Sequence, residues 1–168
     1  MILLRRATLD DLPALRRWDE QPHVSRNAGT DGPFEWEREL QLDVDWQEIL
    51  IIETGDRAIG VLVILEPARD AERYWGDIGP GVRAIDIWIG EEDCLGRGYG
   101  TAAMHQAIAR CFADPGCHAI LVDPLAANDR AHRFYARLGF RAIERRVFGG
   151  DDCMVYRLER DLWRSGLT

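Results

Sequence analysis

The chain has 168 residues, 21 basic and 29 acidic, for a formal net charge of −8. At roughly 100–200 residues per domain, that length allows one domain with a real core and leaves no room for two. The acidic balance argues against nucleic acid, which needs a concentrated basic face, and suits a cationic small molecule. No apolar run approaches the ~18 residues of a membrane helix. The segment from Met1 to Arg6 lacks the basic-then-apolar order of a secretory signal, so a cytoplasmic chain is expected.

Ile2–Arg6 reads as a short strand. Thr8 to Asp11 offers a helix start, with Leu12, Leu15 and Trp18 on one face and Pro13 in the first turn. Gln21 to Pro33 reads as loop, and Phe34 to about Leu42 as a second helix. Ile49–Glu53 and Ile59–Leu65 are β-branched runs around Gly55-Asp56, a hairpin signal. Glu66 to Gly81 is a long loop rich in charge, aromatics and glycine; in a compact domain such a loop is usually functional or disordered. Val82–Ile89 is a strong third apolar strand of this series.

After the acidic turn of Glu91, Glu92 and Asp93 comes Gly96-Arg97-Gly98-Tyr99-Gly100. It leads into a helix with Met104, Ala107, Ile108 and Cys111 on one face, ended by Asp114-Pro115-Gly116. Ala119–Val122 is a short buried strand. Asn128 caps a helix carrying Ala131, Phe134, Tyr135 and Leu138 on a common face, and Gly139 closes it. Arg141–Val147 and Met154–Leu158 are strands around a Gly149-Gly150-Asp151 turn. The order is mixed α and β, with antiparallel hairpins and a strand–helix–strand crossover.

Every basic residue is arginine, which excludes a Schiff-base lysine and a phosphate-binding Walker lysine. Cys94, Cys111, Cys117 and Cys153 show neither C-x-x-C nor zinc-ligand spacing, so buried thiols and no metal are expected. His23, His105, His118 and His132 are scattered and read as surface or core residues. The glycines between strand and helix let the backbone turn sharply and approach a ligand, while the first helix amides bind anions such as pyrophosphate. A plain tight turn is the competing reading. A dinucleotide-binding fold is disfavoured, because its glycine fingerprint opens a longer parallel sheet.

The stretch Asn128-Asp129-Arg130-Ala131-His132-Arg133-Phe134-Tyr135-Ala136-Arg137-Leu138-Gly139-Phe140 resembles the N-x-x-A-x-x-(F/Y)-Y-x-x-x-G-F signature of the GNAT N-acetyltransferases. It follows the glycine loop at that family's separation. The resemblance implies the GNAT fold: a central, mostly antiparallel sheet splayed between strands 4 and 5 and flanked by about four helices, in one N-acetyltransferase domain over residues 1–168. It implies acetyl-coenzyme A as co-substrate, its pyrophosphate on Leu95, Gly96, Arg97, Gly98, Tyr99, Gly100 and Thr101, its pantetheine pairing with the backbone of Trp88 and Ile89. Asn128, Ala131 and Tyr135 complete the cofactor residues. Where the family often has Gln or Arg three residues before the middle glycine, this chain has Leu95.

The run Gly79-Pro80-Gly81-Val82-Arg83-Ala84-Ile85-Asp86, with Val122-Asp123-Pro124, is similar to the aminoglycoside 6′-N-acetyltransferases over most of the chain. Carried over, Asp86 and Asp123 are the acceptor-side carboxylates, with Tyr74, Trp75 and Asp77 as substrate-binding neighbours and Tyr135 near the sulfur. A polycationic acceptor needs carboxylates, and aromatics to cover its sugar faces. An aspartate in an apolar strand costs several kcal/mol unless paired or wet, so Asp86 must meet a cleft or a loop partner. Asp123 also fits an Asx-type turn before Pro124. The implied mechanism is direct transfer, with Asp86 as base or amine-orienting group and Asp123 assisting. From an alkyl ammonium near 10.4 to an aspartate near 3.9, proton transfer is uphill by ~6.5 pH units, about 9 kcal/mol. The carboxyl must therefore be raised, or the amine lowered, by its surroundings. Acetylation of another amine, such as a polyamine or siderophore precursor, and a coenzyme A-binding module without turnover are the alternatives. A monomer or homodimer is expected.

Overall fold

Alternation of β-branched and polar residues produces seven strands that join into one sheet. The structure, a computed structural model, describes residues 1–30 and 34–164. The strands are β1 (Ile2–Arg6), β2 (Gln47–Thr54), β3 (Arg57–Leu65), β4 (Val82–Ile89), β5 (Ala119–Val122), β6 (Arg141–Phe148) and β7 (Asp151–Glu159). Their order is β1-β2-β3-β4-β5-β7-β6. Of these pairings β4 with β5 is parallel and the others are antiparallel. The four expected helices are α1 (Leu12–Asp19), α3 (Trp36–Gln41), α4 (Tyr99–Ala113) and α5 (Asp129–Arg137).

The splay between β4 and β5 follows from their register. They pair only where Val82 to Ala84 face Ala119 to Leu121. Beyond β5 the chain follows β7 instead: Met154 N donates to Pro124 O at 2.9 Å, Ala126 N donates to Asp152 O at 2.8 Å, and Leu125 bridges to Cys153. The remaining edge of β4, from Ile85 onward, has no strand beside it among the described residues. The sheet opens there into a wedge.

Each face of β4 meets different packing. Ile85, Ile87 and Ile89 join the large core under α4 and α5, with Met104, Ala107, Ile108, Tyr135 and Leu138. On the opposite face Val82 and Ala84 pack with Trp75, Leu121, Phe148 and Val155. Trp88 packs beside Trp36 in the cluster that α1 and α3 cover with Leu15 and Trp18. By alternation Asp86 lies on this second face, between the two clusters. The sequence therefore leaves a carboxylate at the seam where apolar packing is interrupted.

Several expectations are corrected. The loop drawn from Gln21 to Pro33 contains a helical turn, α2 (Pro22–Ser25), because Pro22 occupies the first helical position where it is tolerated; Asp31, Gly32 and Pro33 lie outside the described residues. The second helix begins at Trp36 rather than Phe34. The first helix is preceded by a 3₁₀ turn, Leu9–Asp11, in which the Asp11 carboxylate accepts the Thr8 amide. A final helix, α6 (Arg160–Arg164), follows β7 and was not foreseen. Its first residue explains it. Arg160 donates to the carbonyls of Cys117 at 2.6 Å and Phe112 at 2.8 Å, and to that of Asp114, which also accepts the Cys117 amide, tying together the groups at and just after the end of α4. The four cysteines are buried thiols, as expected.

Candidate active site

The glycine loop is shaped by two left-handed residues, Gly96 at φ 71° and Gly98 at φ 80°. A Cβ at either position would meet nothing within 4 Å, so both turn an open backbone surface outward. The first amide of α4 to find a backbone acceptor is that of Ala102, which donates to Gly98 O at 3.0 Å. The amides of Tyr99, Gly100 and Thr101 precede it and point out of the helix, where its dipole is positive. Arg97 is exposed beside them, and Leu95 is half-buried. Gly100 differs: its Cβ would touch Phe134 Cζ at 3.7 Å and Ile89 Cγ1 at 3.9 Å, an ordinary contact between helix start and sheet.

The open edge of β4 carries a second row of main-chain groups. Gly90 N donates to Ile59 O at 2.9 Å, which makes Ile59 and Gly90 a hydrogen-bonded pair in the β3–β4 ladder. Alternation then assigns Val61–Trp88 to the bonded set and Leu62–Ile87 and Gly60–Ile89 to the set whose N–H and C=O groups point away from β3. Trp88 O lies against β3, only 2.4 Å from where a Cβ on Gly60 would stand. The expectation for Trp88 is thus corrected: its backbone serves the sheet, and Ile87 with Ile89 faces the wedge. One of those groups is already used, because His23 Nε2 donates to Ile89 O at 2.9 Å. The Trp88 ring instead joins Phe34 and Trp36, at centroid distances of 5.9 and 5.7 Å.

Asn128 caps α5, its Oδ1 accepting the Ala131 amide at 3.1 Å. The same helix places Tyr135 in the core, where its ring meets Phe140 and Tyr156. His132, one turn earlier, accepts at Nδ1 from the Tyr156 hydroxyl and donates from Nε2 to Ala126 O. It fastens α5 to the segment after β5 and is not free for proton transfer.

Asp86, Asp123 and Tyr135 come from β4, the end of β5 and α5, and each is close enough to feel the others. Burial pushes the Asp86 carboxyl up to about 6. Burial first, and then the negative charge of Asp86, pushes Asp123 up to about 7, against the opposing effects of a Tyr74 hydrogen bond and of Arg146. The two carboxyls titrate as a pair, in the range where a base works near neutral pH. Burial, Asp86 and Asp123 together hold the Tyr135 hydroxyl far above its ordinary value, so it stays protonated.

The long loop after β3 supplies the wall. Tyr74, 42% exposed, donates its hydroxyl to Asp123 Oδ2 at 2.6 Å and stacks on Phe148 at 4.6 Å with 7° between planes. Trp75 is buried beneath, edge-on to Phe148 at 5.2 Å. Asp77 is not brought to the pair: it is exposed and ion-paired with Arg73 at 3.1 Å. Phe148 and Arg146 were not expected here. Arg146 lies over the Phe148 ring at 4.8 Å. The only signal for Phe148 was an aromatic at a strand end before Gly149-Gly150, which is equally the signature of core.

The loop and edge fit coenzyme A. Open left-handed glycines and outward amides suit a pyrophosphate, and the Ile87–Ile89 edge offers strand-like donors and acceptors to an extended amide chain. No metal-binding group of His, Cys, Asp and Glu occurs among the described residues. Residues 7–148 match the family described as the acetyltransferase (GNAT) domain, so the chain belongs to that family of N-acetyltransferases. It is 29% identical over 151 residues to aminoglycoside N(6′)-acetyltransferase type 1 of Klebsiella pneumoniae, covering 83% of this chain and 73% of that protein. A kanamycin resistance protein of Rhizobium radiobacter is 38% identical over 69 residues, 40% of this chain and 64% of that one. The fold is shared with a crystal structure of aminoglycoside acetyltransferase AAC(6′)-Ib in complex with coenzyme A, at TM-score 0.88, 24% identity and full coverage of both chains.

Proposed function

We propose that the protein is an acetyl-coenzyme A-dependent aminoglycoside 6′-N-acetyltransferase that confers resistance, acting in the cytoplasm as a monomer or homodimer. What carries this reading is the half-buried pair of Asp86 and Asp123 at the open wedge, roofed by Tyr74 on Phe148. A lone ammonium needs one carboxylate. Two in an aromatic-walled site suit an acceptor with several ammonium groups and flat sugar faces.

Coenzyme A supplies the activated acyl group when bound. Asp86 orients the acceptor amine and takes its proton; Asp123 holds a neighbouring ammonium or hydroxyl. Raising the Asp86 carboxyl to about 6 narrows the gap to an alkyl ammonium near 10.4 to about 4.4 pH units, roughly 6 kcal/mol. A second ammonium on the acceptor lowers the amine further. The outward Ile87 and Ile89 amides polarise the reacting carbonyl. Tyr135 donates a hydrogen bond toward the departing sulfur without surrendering its proton, since its hydroxyl is held far above the range of a thiol near 8.5.

Thiol release from acetyl-coenzyme A, measured with kanamycin, spermidine and a peptide amine side by side, tests the proposal. Turnover is expected with kanamycin, together with mass gain of one acetyl group at the 6′ position. Turnover only with the other amines would redirect the substrate class, and none with any amine would leave a binding module.

A further inference from the structure

The residue before Tyr74 is Arg73, at φ 51°, the one non-glycine residue in the left-handed region among those described. Such a conformation persists only where surrounding contacts hold it. Here the Asp70 carboxylate accepts the amides of Glu72 at 3.0 Å and Tyr74 at 3.3 Å, closing a tight loop around Arg73. The strain aims one side chain. Tyr74 is laid flat on Phe148 and its hydroxyl reaches Asp123 at 2.6 Å. Arg146 lies over the same Phe148 ring, 4.8 Å from its centroid.

We propose that Tyr74 is a positioning residue of the acceptor site, whose donated hydrogen bond favours the charged form of Asp123 beside Asp86, with the Phe148–Arg146 stack holding it in register. The proposal rests on the reading of Asp86 and Asp123 as the acceptor pair. Among the described residues, the titratable or charged groups near Asp123 or its partner include Asp86 from β4, Tyr74 from the loop, Tyr135 from α5, Arg146 from β6 and Cys153 from β7. Of these, Tyr74 donates its hydroxyl to Asp123 Oδ2 at 2.6 Å. A neutral donor suits the task. A guanidinium at the same place would hold the carboxylate charged equally well but would repel an incoming polycation. Tyrosine stabilises the anion and leaves its charge for the ligand. Burial and the adjacent carboxylate keep the Tyr74 hydroxyl protonated throughout the working range.

The test is Tyr74→Phe, which keeps the ring, the stack and the shielding of Asp123 while removing one donor. Carboxyl carbons of aspartate-labelled protein are titrated by NMR without any acceptor, with Asp86→Asn and Asp123→Asn assigning the two signals. The pair's midpoint should rise by about one pH unit in Tyr74→Phe, the size of one charge-assisted bond. With kanamycin as acceptor, kcat/KM should then fall about tenfold at pH 6 and stay within about twofold of wild type at pH 8.5. Phe148→Leu, which loosens the stack, should shift the midpoint the same way by less. An unmoved carboxyl titration overturns the proposal, as does an equal loss of rate at both pH values, the mark of a mere wall. If the titration moves while neither protein acetylates kanamycin, the positioning role stands and the aminoglycoside reading fails.

Discussion

Replacing Asp86 by asparagine should remove catalysis and stabilise the fold at once, with opposite signs set by one carboxyl. Its ordinary value is 3.8, and burial raises it to about 6. At about 1.4 kcal/mol per pH unit, that rise lowers the uphill cost of taking the amine proton by about 3 kcal/mol. The same energy is a cost to the native state. A carboxyl raised in the folded chain is ionised more readily in the unfolded one, so the folded state loses stability as pH rises from about 4 to about 7. Above that window the loss is complete; below 3.8 both states are protonated and it vanishes. Asp86→Asn should therefore gain between about 1 and 3 kcal/mol at pH 8, and roughly 3–9 °C in Tm at this chain length. At pH 3 the variant and wild type should melt together. Turnover should fall at least about 100-fold, with coenzyme A affinity unchanged. Equal Tm differences at both pH values would show that Asp86 is solvated rather than buried, and wild-type turnover would remove it from the reaction.

Gly98→Val forces a β-branched residue to φ 80° and fills the open surface over the glycine loop; KM for acetyl-coenzyme A should rise at least about tenfold with acceptor KM little changed, in steady-state assays varying each substrate. Arg160→Ala removes the guanidinium that donates to three carbonyls at and just after the end of α4; urea unfolding should show a loss of about 1–3 kcal/mol with activity per folded molecule retained. Asp11 is the counterpart of Asp86. Burial alone would raise its carboxyl, but the bidentate Arg5 guanidinium and the Thr8 amide outweigh burial and hold it below the ordinary range. Its contribution is full above the unfolded value and is lost as pH falls through the folded one. Asp11→Asn should cost about 1–3 kcal/mol at pH 7, and the cost should shrink as pH falls below the unfolded value of 3.8, read from melts across the acid range.

Elements with a strong local period were legible without coordinates. Val82–Ile89 and Ala119–Val122 are strands at their expected bounds, because short runs rich in Val and Ile carry no 3.6-residue period to compete. The cap at Asn128 and the left-handed glycines at 96 and 98 were legible too, since only particular residue types serve those backbone positions. α2 and α6 were missed. Each is a turn or so long, below the length at which a 3.6-residue period can be seen, and α6 begins at an arginine whose partners lie more than forty positions back.

The sequence by itself determined which residues carry chemistry: a glycine-rich anion loop, a carboxylate in an apolar strand, another before a proline, an aromatic pair in a long loop. Each is a local departure from what packing alone would select. Only the tertiary structure decided how these meet. Whether Trp88 or its neighbours turn their amides to the wedge depends on which residues pair with β3. The ionisation of Asp86 and Asp123 depends on burial and on their closeness across two strands that part after Ala84. That Tyr74 reaches Asp123 while Asp77 turns away to Arg73 depends on one left-handed residue whose conformation is held by contacts, not by its identity. Register, burial and through-space charge are properties of pairs distant along the chain, and no pattern along the chain encodes them.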